Sequence, residues 1–392
     1  MDVTVVKLRP RADARVRNGH RWVFSNEIAD DVGNLPRGGV VDVVDGRGRF
    51  VGRGFANPAS LIAVRLLTGT KEDIDHPSFF AARLREAVAY RAAVCPGRTS
   101  MRLVHGESDG LPGLIVDRYA DVLAVQIHSL GMEVRKEQLA AAFQEVVGPR
   151  SVVLRSPERL RNLEGLGPDT GLWFGNAPGE VEIEENGVRF LVDPLGSQKT
   201  GHFFDQAENR ARVGALASGR SVLDVFANTG GFALHALKRG AESATLVDGK
   251  EENLVRAVEN ARRNGLPEPV CLQGDAREAL SALVGDGRRF GMVVLDPPAF
   301  AKARRSVAPA LHGYEEINAL GATLVESGGL LVTASCSHHV LEDRFLEAVT
   351  DGLRKAGRTA RLVFRGEQAP DHPVLPSMPE TRYLKLLVLH LR

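Results

Sequence analysis

The sequence is poor in cysteine and in long apolar runs, and each scarcity excludes a class of protein. Its three cysteines, Cys95, Cys271 and Cys336, lie far apart in 392 residues and are odd in number. We therefore expect neither a disulfide framework nor a zinc site of the Cys-x-x-Cys type. No apolar run approaches the roughly 20 residues needed to cross a bilayer. The N-terminus, MDVTVVKLRPR, lacks the apolar core of a signal peptide. These features predict a cytoplasmic protein with no membrane partner.

Net charge is also nearly absent, but the charge that exists is unevenly distributed. The formal charge is +1 at pH 7, so the chain as a whole has no signature of polyanion binding. Within residues 7–21, however, a single acidic residue, Asp13, stands among six basic ones. The six are Lys7, Arg9, Arg11, Arg15, Arg17 and Arg21. Such a run is either a surface for RNA phosphates or only a solvated face.

Periodic segments are abundant, and they divide the chain into three parts. Residues 1–70 alternate β-branched residues with glycine-rich turns, which predicts a small β-barrel or sandwich. Residues 71–180 mix strand patterns with helical ones, the first opened by Pro77, and predict an α+β module. Residues 181–392 alternate strands and helices, including a helix through YEEINALGATLVES. This alternation predicts an open, mostly parallel α/β sheet.

The segment SVLDVFANTGGFALHAL places a loop of small residues between a strand and a helix. Glycine lets the backbone approach a ligand closely, and a helix N-terminus suits a carboxylate or a phosphate. The spacing differs from the GxGxxG of dinucleotide-binding proteins. Asp224, near the strand end, can instead meet a cationic ligand such as the amino group of S-adenosylmethionine (SAM).

Asp224 is the first of four acidic residues that each end a predicted strand. Asp248 suits a pair of ribose hydroxyls, Asp275 an adenine edge, and Asp296 lies in LDPPAF. Ligands of open α/β sheets bind at this carboxyl edge. A single aspartate at a strand end is more often a helix N-cap. Four in succession, with a Gly-Gly loop after the first, favour a SAM site.

The segment LDPPAF suggests how a flat base is held. Its two prolines fix the backbone and remove two N–H donors, which leaves the Asp296 carboxylate to accept from the amino group of a base. Phe300 could stack on that base. The alternative is that the prolines only end a strand and that Phe300 belongs to the core.

Cys336, in LVTASCSHH, follows the fifth predicted strand of the sheet. If that strand lies beside the fourth, Cys336 and Asp296 face one cleft. A thiolate there would add to carbon 6 of a pyrimidine and make carbon 5 nucleophilic. A metal ligand and a buried inert thiol are the competing interpretations. In an extended chain His338 points to the same side as Cys336, which makes it a candidate activator.

Nearly end to end, the chain resembles the bacterial ribosomal RNA large-subunit methyltransferases that make 5-methylcytosine in 23S rRNA and carry an N-terminal PUA domain. The similarity rests on RNGHRWVFSNEI, GRGRFVGRGFANPASLIAVRLL, HGESDGLPGLIVDRY, SQKTGHFFDQAENR, DVFANTGGF, LDPPAF, SCSHH and APDHPVLPSMPETRYLK. It implies a β-barrel PUA domain at 1–70, a central α+β module at 71–180 and a Rossmann-like class I methyltransferase domain at 181–392. The implied sheet has seven strands in the order 3-2-1-4-5-7-6, with strand 7 antiparallel.

The resemblance also implies residue roles. Cys336 becomes the nucleophile with Asp296 beside it, and the loop around Phe204 closes over the cofactor. The expected SAM contacts are Phe204, Asp205, Arg210, Asp224, Phe226, Asn228, Gly230, Asp248, Asp275, Ala276 and Asp296. The six basic residues and Phe300 are expected to contact 23S rRNA that is free or incompletely assembled. No metal is expected, and the central module could pair subunits into a homodimer.

Two alternatives remain open at this point. Because LDPPAF also resembles the Asp-Pro-Pro-aromatic motif of amino-methylating enzymes, the target could be an exocyclic amine. The chain could also be an RNA-binding assembly factor that does not catalyse.

In addition, many RNA 5-methylcytosine enzymes carry a second cysteine where this chain has Pro298, so removal of the carbon-5 proton falls to another group or to water.

Overall fold

A computed structural model describes residues 3–196, 201–301 and 303–392. These residues fall into two compact units. Unit 1 comprises Met1–Ile183, Val192–Phe204 and Pro370–Thr381, and unit 2 comprises Glu184–Leu191, Asp205–Ala369 and Arg382–Arg392. The start of the motif SQKTGHFFDQAENR, residues 197–200, lies outside the described residues. The domain boundaries near residues 70 and 180 stay a prediction.

The N-terminal part of unit 1 is a mixed sheet of five strands with one short helix. Its elements are β1 (Thr4–Lys7), α1 (Asp13–Arg17), β2 (Trp22–Val23), β3 (Val40–Val44), β4 (Phe50–Ala56) and β5 (Val64–Thr68). The strand order is β1-β3-β4-β5-β2, with β1 parallel to β3 and the other pairs antiparallel. Alternate apolar residues such as Val6, Val41 and Val43 are fully buried and form its core.

The remainder of unit 1 is an α+β arrangement with its own core. Its elements are α2 (Pro77–Val94), β6 (Met101–His105), β7 (Leu114–Tyr119), β8 (Val122–Ile127), α3 (Leu130–Glu133), α4 (Lys136–Val146), β9 (Ser151–Ser156), α5 (Glu158–Asn162) and β10 (Asp169–Gly175). The strand order is β10-β9-β8-β7-β6. Pro77 opens α2 as the sequence predicted, because the missing N–H of proline costs nothing in a first helical turn.

A buried carboxylate, Glu164, ties the two parts of unit 1 together. It is 3% exposed and accepts hydrogen bonds from Asn57 Nδ2 (2.9 Å), Ser60 Oγ (2.7 Å), Arg65 Nη2 (2.9 Å) and the Leu130 N–H (3.2 Å). Burial alone would raise the pKa of Glu164, but Arg65 and the side-chain hydrogen bonds outweigh burial and lower the pKa. The ionised form therefore stabilises the fold.

Unit 2 is built on a seven-stranded mixed sheet preceded by a hairpin. Its elements are β11 (Val181–Glu185, which begins in unit 1), β12 (Val188–Val192, which ends in unit 1), α6 (Ala207–Ala215), β13 (Ser221–Val225), α7 (Gly231–Lys238), β14 (Ser243–Asp248), α8 (Glu251–Arg263), β15 (Val270–Gln273), α9 (Ala276–Gly285), β16 (Phe290–Leu295), α10 (Val307–Leu324), β17 (Val325–Ser335), α11 (Glu342–Lys355), β18 (Ala360–Gly366) and β19 (Lys385–Leu391). The strand order is β15-β14-β13-β16-β17-β19-β18, and β19 is antiparallel to both of its neighbours.

Local signals account for several turns and helix ends of unit 2. Asn186 and Gly187 have φ of 49° and 85°, the left-handed pair that a tight hairpin turn requires. Gly240 and Gly265 follow helices with φ of 91° and 62°, the left-handed conformation in which glycine commonly ends a helix. One boundary was wrong: VES, expected to end a helix, begins β17 instead, where Val325 is buried and pairs with Phe290. Within the described ranges, no helix is long and apolar enough to cross a membrane.

Replacement of Glu164 by alanine tests its role in unit 1. We expect E164A to lower the free energy of unfolding by about 3 kcal/mol, because Arg65 Nη2 and the other buried donors around Glu164 lose their acceptor, while only the Arg65 pair with Glu107 remains. Both tryptophans, Trp22 and Trp173, lie in unit 1, so denaturant titration followed by tryptophan fluorescence reports this unit. E137A, at an exposed position of α4, is the control and should change the value by less than about 0.5 kcal/mol.

The same carboxylate predicts a pH dependence. Above the ordinary pKa near 4.5 the contribution of Glu164 is complete, and it is lost as pH falls through the lower pKa of the folded state. The stability difference between wild type and E164A should therefore shrink in acid. A difference that stays constant from pH 7 to pH 3 would contradict this assignment.

Candidate active site

The four predicted aspartates lie at one edge of the sheet, at or just after the ends of four neighbouring parallel strands. Asp224 is the second-last residue of β13, Asp248 ends β14, Asp275 comes shortly after β15, and Asp296 directly follows β16. These strands are consecutive in the order β15-β14-β13-β16, and each neighbouring pair is parallel. Because parallel strands end at the same edge, the four carboxylates share one end of unit 2.

Cys336 belongs to the same edge. It directly follows β17, which pairs in parallel with β16 in a register that sets Leu295 opposite Thr333. The expectation that the fourth and fifth strands are neighbours is therefore confirmed. The Sγ atom is half-buried and lies 3.8 Å from the Pro297 carbonyl oxygen, so the thiol and the LDPPAF segment face each other.

The loop after β13 is held in an unusual backbone conformation. Phe226, Asn228 and Gly230 have φ of 63°, 48° and 83°. A left-handed conformation is rare for a bulky residue such as Phe226 and costs on the order of 1–3 kcal/mol. The Asn228 N–H donates to Asp248 Oδ2 at 2.9 Å, which fixes the loop against the end of β14. Strain of this kind, when it persists, is typical of ligand-binding loops.

Asp224 is a buried carboxylate at this edge with a raised pKa. It is 1% exposed, and its Oδ2 accepts a hydrogen bond from the Ala233 N–H of α7, at 2.9 Å. Burial raises the pKa of Asp224 to about 7, the Ala233 N–H opposes the shift, and the negative charges of Asp296 and Asp248 add to it. A cation bound here would relieve this repulsion and favour the ionised form.

Asp248 and Asp275 also have structural partners. Besides Asn228, Asp248 accepts from the Lys250 N–H (3.0 Å) and Asn253 Nδ2 (2.9 Å). Asp275 is exposed and caps α9 by accepting from the backbone N–H groups of residues 277 (2.8 Å) and 278 (3.3 Å). Ala276 is the buried first residue of that helix. The N-cap interpretation therefore applies to Asp275, while contacts of both aspartates with a cofactor stay predictions.

The three residues expected to cover the cofactor have different surroundings. Phe204 belongs to unit 1, where its ring lies 5.2 Å from that of Tyr119. In unit 2, Asp205 Oδ2 accepts from Tyr383 Oη at 2.6 Å. Arg210 is 5% exposed and donates to both oxygens of Glu185, at 3.0 and 3.1 Å. Arg210 therefore has a buried partner of its own.

A hydrogen-bond network fixes the residues on either side of Cys336. The Tyr314 hydroxyl, on α10, lies 2.9 Å from the hydroxyls of both Ser335 and Ser337. Ser337 Oγ also accepts from the Ala301 N–H at 3.1 Å, just beyond LDPPAF. Ser335 and Ser337 are fully buried, whereas Cys336 between them is partly exposed. The network therefore holds Ser335 and Ser337 in the core and leaves the Cys336 thiol between them partly exposed.

The interpretation of His338 assumed an extended chain, whereas His338 begins a turn, so its role as an activator stays a prediction. Residues 338–340 form a turn, and the His338 side chain is exposed, with its ring edge-on to His339 at a centroid distance of 5.8 Å. A turn breaks the alternation that would have put His338 on the side of Cys336.

As for a metal site, the part of the chain that the structure describes contains no cluster of three or more histidine, cysteine or acidic side chains arranged to hold an ion.

Asp296 and Phe300 contact other residues of unit 2. Asp296 Oδ1 accepts from Gln206 Nε2 at 3.1 Å. The Phe300 ring lies 4.8 Å from the ring of Tyr314 at an angle of 34° and packs against the core. These contacts support the core interpretation of Phe300, and its stacking on a base stays a prediction.

The six basic residues of the N-terminal run differ in their surroundings. Arg15 forms an ion pair with Glu27 at 2.8 Å, and Arg17 pairs with Asp13 (2.8 Å) and Asp45 (3.0 Å). Arg21 Nη1 donates to the Leu67 carbonyl at 3.2 Å, and Arg9 Nε donates to that of Ile28 at 3.0 Å. Lys7, Arg9 and Arg11 are exposed. The charge open to an RNA backbone is therefore smaller than the sequence suggested.

Sequence reasoning missed one cationic residue beside the thiol. Lys385, the first residue of β19, is 7% exposed, and its Nζ donates to the carbonyl oxygens of Ser337 (2.8 Å) and Val340 (2.7 Å). The available signal was a lysine at the start of the otherwise apolar run KLLVLHL, since charged residues are seldom buried without a partner.

Comparison with known proteins agrees with this geometry. Residues 6–69 match the PUA-like domain family, and residues 112–388 match the S-adenosylmethionine-dependent methyltransferase family. The chain is 40% identical to Ribosomal RNA large subunit methyltransferase I of Shewanella amazonensis, over 98% of both chains. It is 38% identical to the protein of the same name from Alteromonas mediterranea, again over 98% of both.

Solved structures share the fold. A protein from Streptococcus mutans superimposes with a TM-score of 0.84 at 18% identity, over 99% of this chain and 100% of that one. A second, crystallised as a complex with S-adenosylhomocysteine (SAH), gives a TM-score of 0.85 at 19% identity over all of both chains. At these identities the likeness concerns the fold alone.

The fold and the family matches define the class: the chain is a SAM-dependent methyltransferase with a PUA-like domain at its N-terminus. It belongs to the family of Ribosomal RNA large subunit methyltransferase I. The residues fit the cofactor, because SAM carries a positive sulfonium and a positive ammonium group. Asp224, with a pKa raised by burial and by two neighbouring carboxylates, is suited to a cation.

Replacement of Asp224 by asparagine tests this fit. The asparagine side chain is not charged but can still accept from the Ala233 N–H, so we expect D224N to fold and to bind SAM at least about tenfold more weakly. Calorimetric titration with SAM measures the affinity. D286N, at an exposed position after α9, is the control and should bind as wild type does.

The pKa of Asp224 adds a pH dependence to the same titration. Because binding of a cation requires the ionised form, wild-type affinity for SAM should rise from pH 6 to pH 8 and then level off. D224N should lack the part of this rise that Asp224 contributes. Equal affinity and an equal pH profile in wild type and D224N would remove Asp224 from the cofactor site.

Proposed function

We propose that this protein methylates carbon 5 of a cytosine in 23S rRNA, with SAM as methyl donor and Cys336 as nucleophile. The observation that carries the proposal is the half-buried Cys336 thiol at the carboxyl edge of β17, next to Asp296 and the LDPPAF segment. A thiol is needed for attack at carbon 5, which is unreactive until carbon 6 is saturated, whereas an exocyclic amine reacts without one. The names of the relatives support ribosomal RNA of the large subunit as substrate.

The reaction begins and ends at Cys336. Its thiolate adds to carbon 6, forming a C–S bond and moving the electron pair of the double bond to carbon 5. SAM, when bound, supplies the methyl group to carbon 5 and leaves as SAH. A base then takes the carbon-5 proton, the double bond re-forms, and the C–S bond breaks to return the thiolate.

Other residues of the edge hold the reactants in this proposal. Asp296 accepts from the amino group of the cytosine, and the carbon-5 proton passes to Asp296 or to water, since Pro298 stands where a second cysteine occurs in related enzymes. Asp224 binds the ammonium group of SAM, Asp248 the ribose and Asp275 the adenine edge. The further cofactor contacts are Phe204, Asp205, Arg210, Phe226, Asn228, Gly230 and Ala276.

The RNA side of the proposal concerns the N-terminal domain. The PUA-like domain contacts phosphates through its basic run, chiefly through the exposed Lys7, Arg9 and Arg11. The target cytosine must leave its stack, which favours free or incompletely assembled rRNA.

In the same proposal unit 2 is a class I domain with a seven-stranded sheet, the N-terminal sheet is a PUA barrel, and the protein acts in the cytoplasm. A homodimer stays a prediction.

Labelled methyl transfer tests the proposed chemistry. Wild type and C336A are incubated with methyl-labelled SAM and unmodified 23S rRNA, which is then digested to nucleosides. We expect labelled 5-methylcytidine from wild type and a loss of at least about 1,000-fold in C336A, because nothing else activates carbon 5. C271A, which changes a cysteine inside β15, is the control and should keep its activity.

The same experiment separates the alternatives. If C336A still produces a labelled N-methyl base, the carbon-5 reaction is overturned. The result would instead favour methylation of an exocyclic amine held by Asp296 of LDPPAF. Absence of label with every form of rRNA, together with absence of SAM binding, would favour the non-catalytic assembly factor.

Charge reversal tests the RNA-contact proposal. Arg15 and Arg17 have carboxylate partners within the fold, so we choose Lys7 and Arg11, which are exposed. We expect K7E/R11E to weaken binding to an rRNA fragment and to reduce the slope of log K against log salt by about 2. The control K238E/R239E makes the same charge change at exposed positions of unit 2. Equal slopes in the two double variants would mean that the N-terminal run is only a solvated face.

A further inference from the structure

Lys385 has a position that the reaction described so far leaves unused. It lies on β19 directly opposite Ser335 of β17, the residue before Cys336. Its Nζ spans the turn after Cys336 by donating to the carbonyls of Ser337 and Val340, at 2.8 and 2.7 Å. The backbone of Lys385 therefore pairs with the residue just before Cys336, and its side chain contacts the segment just after Cys336.

The charge of Lys385 is buried among neutral partners. Among the residues that the structure describes, its Nζ forms hydrogen bonds to two carbonyl oxygens and no ion pair. Burial lowers the pKa of Lys385 to about 8, the charge of Cys336 opposes the shift, Arg382 adds to it, and Glu342 opposes it. Because the interaction is mutual, an ammonium group here favours the thiolate form of Cys336.

Three further titratable groups belong to the segments near the thiol. Tyr314 on α10 is neutral near pH 7, and burial raises its pKa further. Asp296, at the end of β16, would disfavour a thiolate if it is ionised. His338 is exposed in the turn. A thiol that must act as a nucleophile near neutral pH needs a nearby positive charge or a base, and Lys385 is the cation placed for it.

We propose that Lys385 is the positioning residue that activates Cys336: its ammonium group holds the turn at Ser337 and Val340 and stabilises the Cys336 thiolate by its charge. The inference rests on the proposed function, because a thiolate has a use only if Cys336 is the nucleophile. A purely structural lysine would supply the hydrogen bonds without influencing the titration of the thiol, and this difference can be measured.

The test is the pH dependence of alkylation of Cys336 by iodoacetamide, read by mass spectrometry of the peptide that contains it, in the full-length protein without RNA. K385M removes the charge and the donors, K385Q keeps donors without charge, and K385R keeps the charge. We expect K385M and K385Q to react about tenfold more slowly at pH 7, with the midpoint raised by about one pH unit, and K385R to stay within about threefold of wild type. Alkylation of Cys271 in the same samples is the internal reference.

Two results would overturn the inference. If K385M and K385Q are alkylated as wild type is, the charge of Lys385 has no influence on the thiol. If K385Q matches wild type while K385M alone is impaired, the lysine is only a structural clamp. SAM binding by calorimetry checks that each variant is folded, and K385Q carries the test if K385M does not fold.

Failure of this inference is distinguishable from failure of the proposed function. Methyl transfer by K385M should fall about tenfold at pH 7 and recover in part near pH 9, where the thiol ionises without help. If wild type makes no 5-methylcytidine, the proposed function fails whatever the alkylation profiles show. If wild type makes it and the profiles are equal, only the role of Lys385 fails.

Discussion

The parallel pairing of β13 with β14 and β16, and of β16 with β17, is the constraint on which the site depends. It brings chain segments more than 100 residues apart to one edge of unit 2, with Asp224 and Cys336 among them. In the proposed reaction, the strained loop after β13 holds the methyl donor and the segment of Cys336 holds the acceptor, so neither works alone. The sheet fixes donor and acceptor halves against each other before any ligand binds.

Electrostatics gives this edge its chemical character. Asp224 is buried near Asp248 and Asp296, and its pKa is raised to about 7, first by burial and then by repulsion from these carboxylates, which a bound cation would offset. The nearby buried cation Arg210 is held by Glu185. At the other end of the edge, Lys385 has carbonyl partners and so keeps its charge available to the thiol. The site thus has a negative side suited to SAM and a positive group near the proposed nucleophile.

Local patterns were sufficient to predict the features that depend on short-range physics. The aspartates at strand ends, the glycine caps and Pro77 at the start of α2 all follow from sequence within a few residues. The features that were missed depend on distant partners. Lys385 lies beside the segment that carries Cys336 because β19 pairs with β17. Arg17 forms an ion pair with Asp45, 28 residues away in the sequence. The turn that begins at His338 was likewise not predicted.

The central claim is that Cys336 bonds covalently to carbon 6 while carbon 5 is methylated. An rRNA transcript that contains 5-fluorocytidine tests it most directly, because fluorine replaces the proton whose loss would release the enzyme. With SAM present, we predict a protein–RNA species that survives denaturation, with the RNA joined to the peptide that contains Cys336 and absent from C336A. Methyl transfer to cytosine in normal RNA without any such covalent species in the fluorinated RNA would contradict the account.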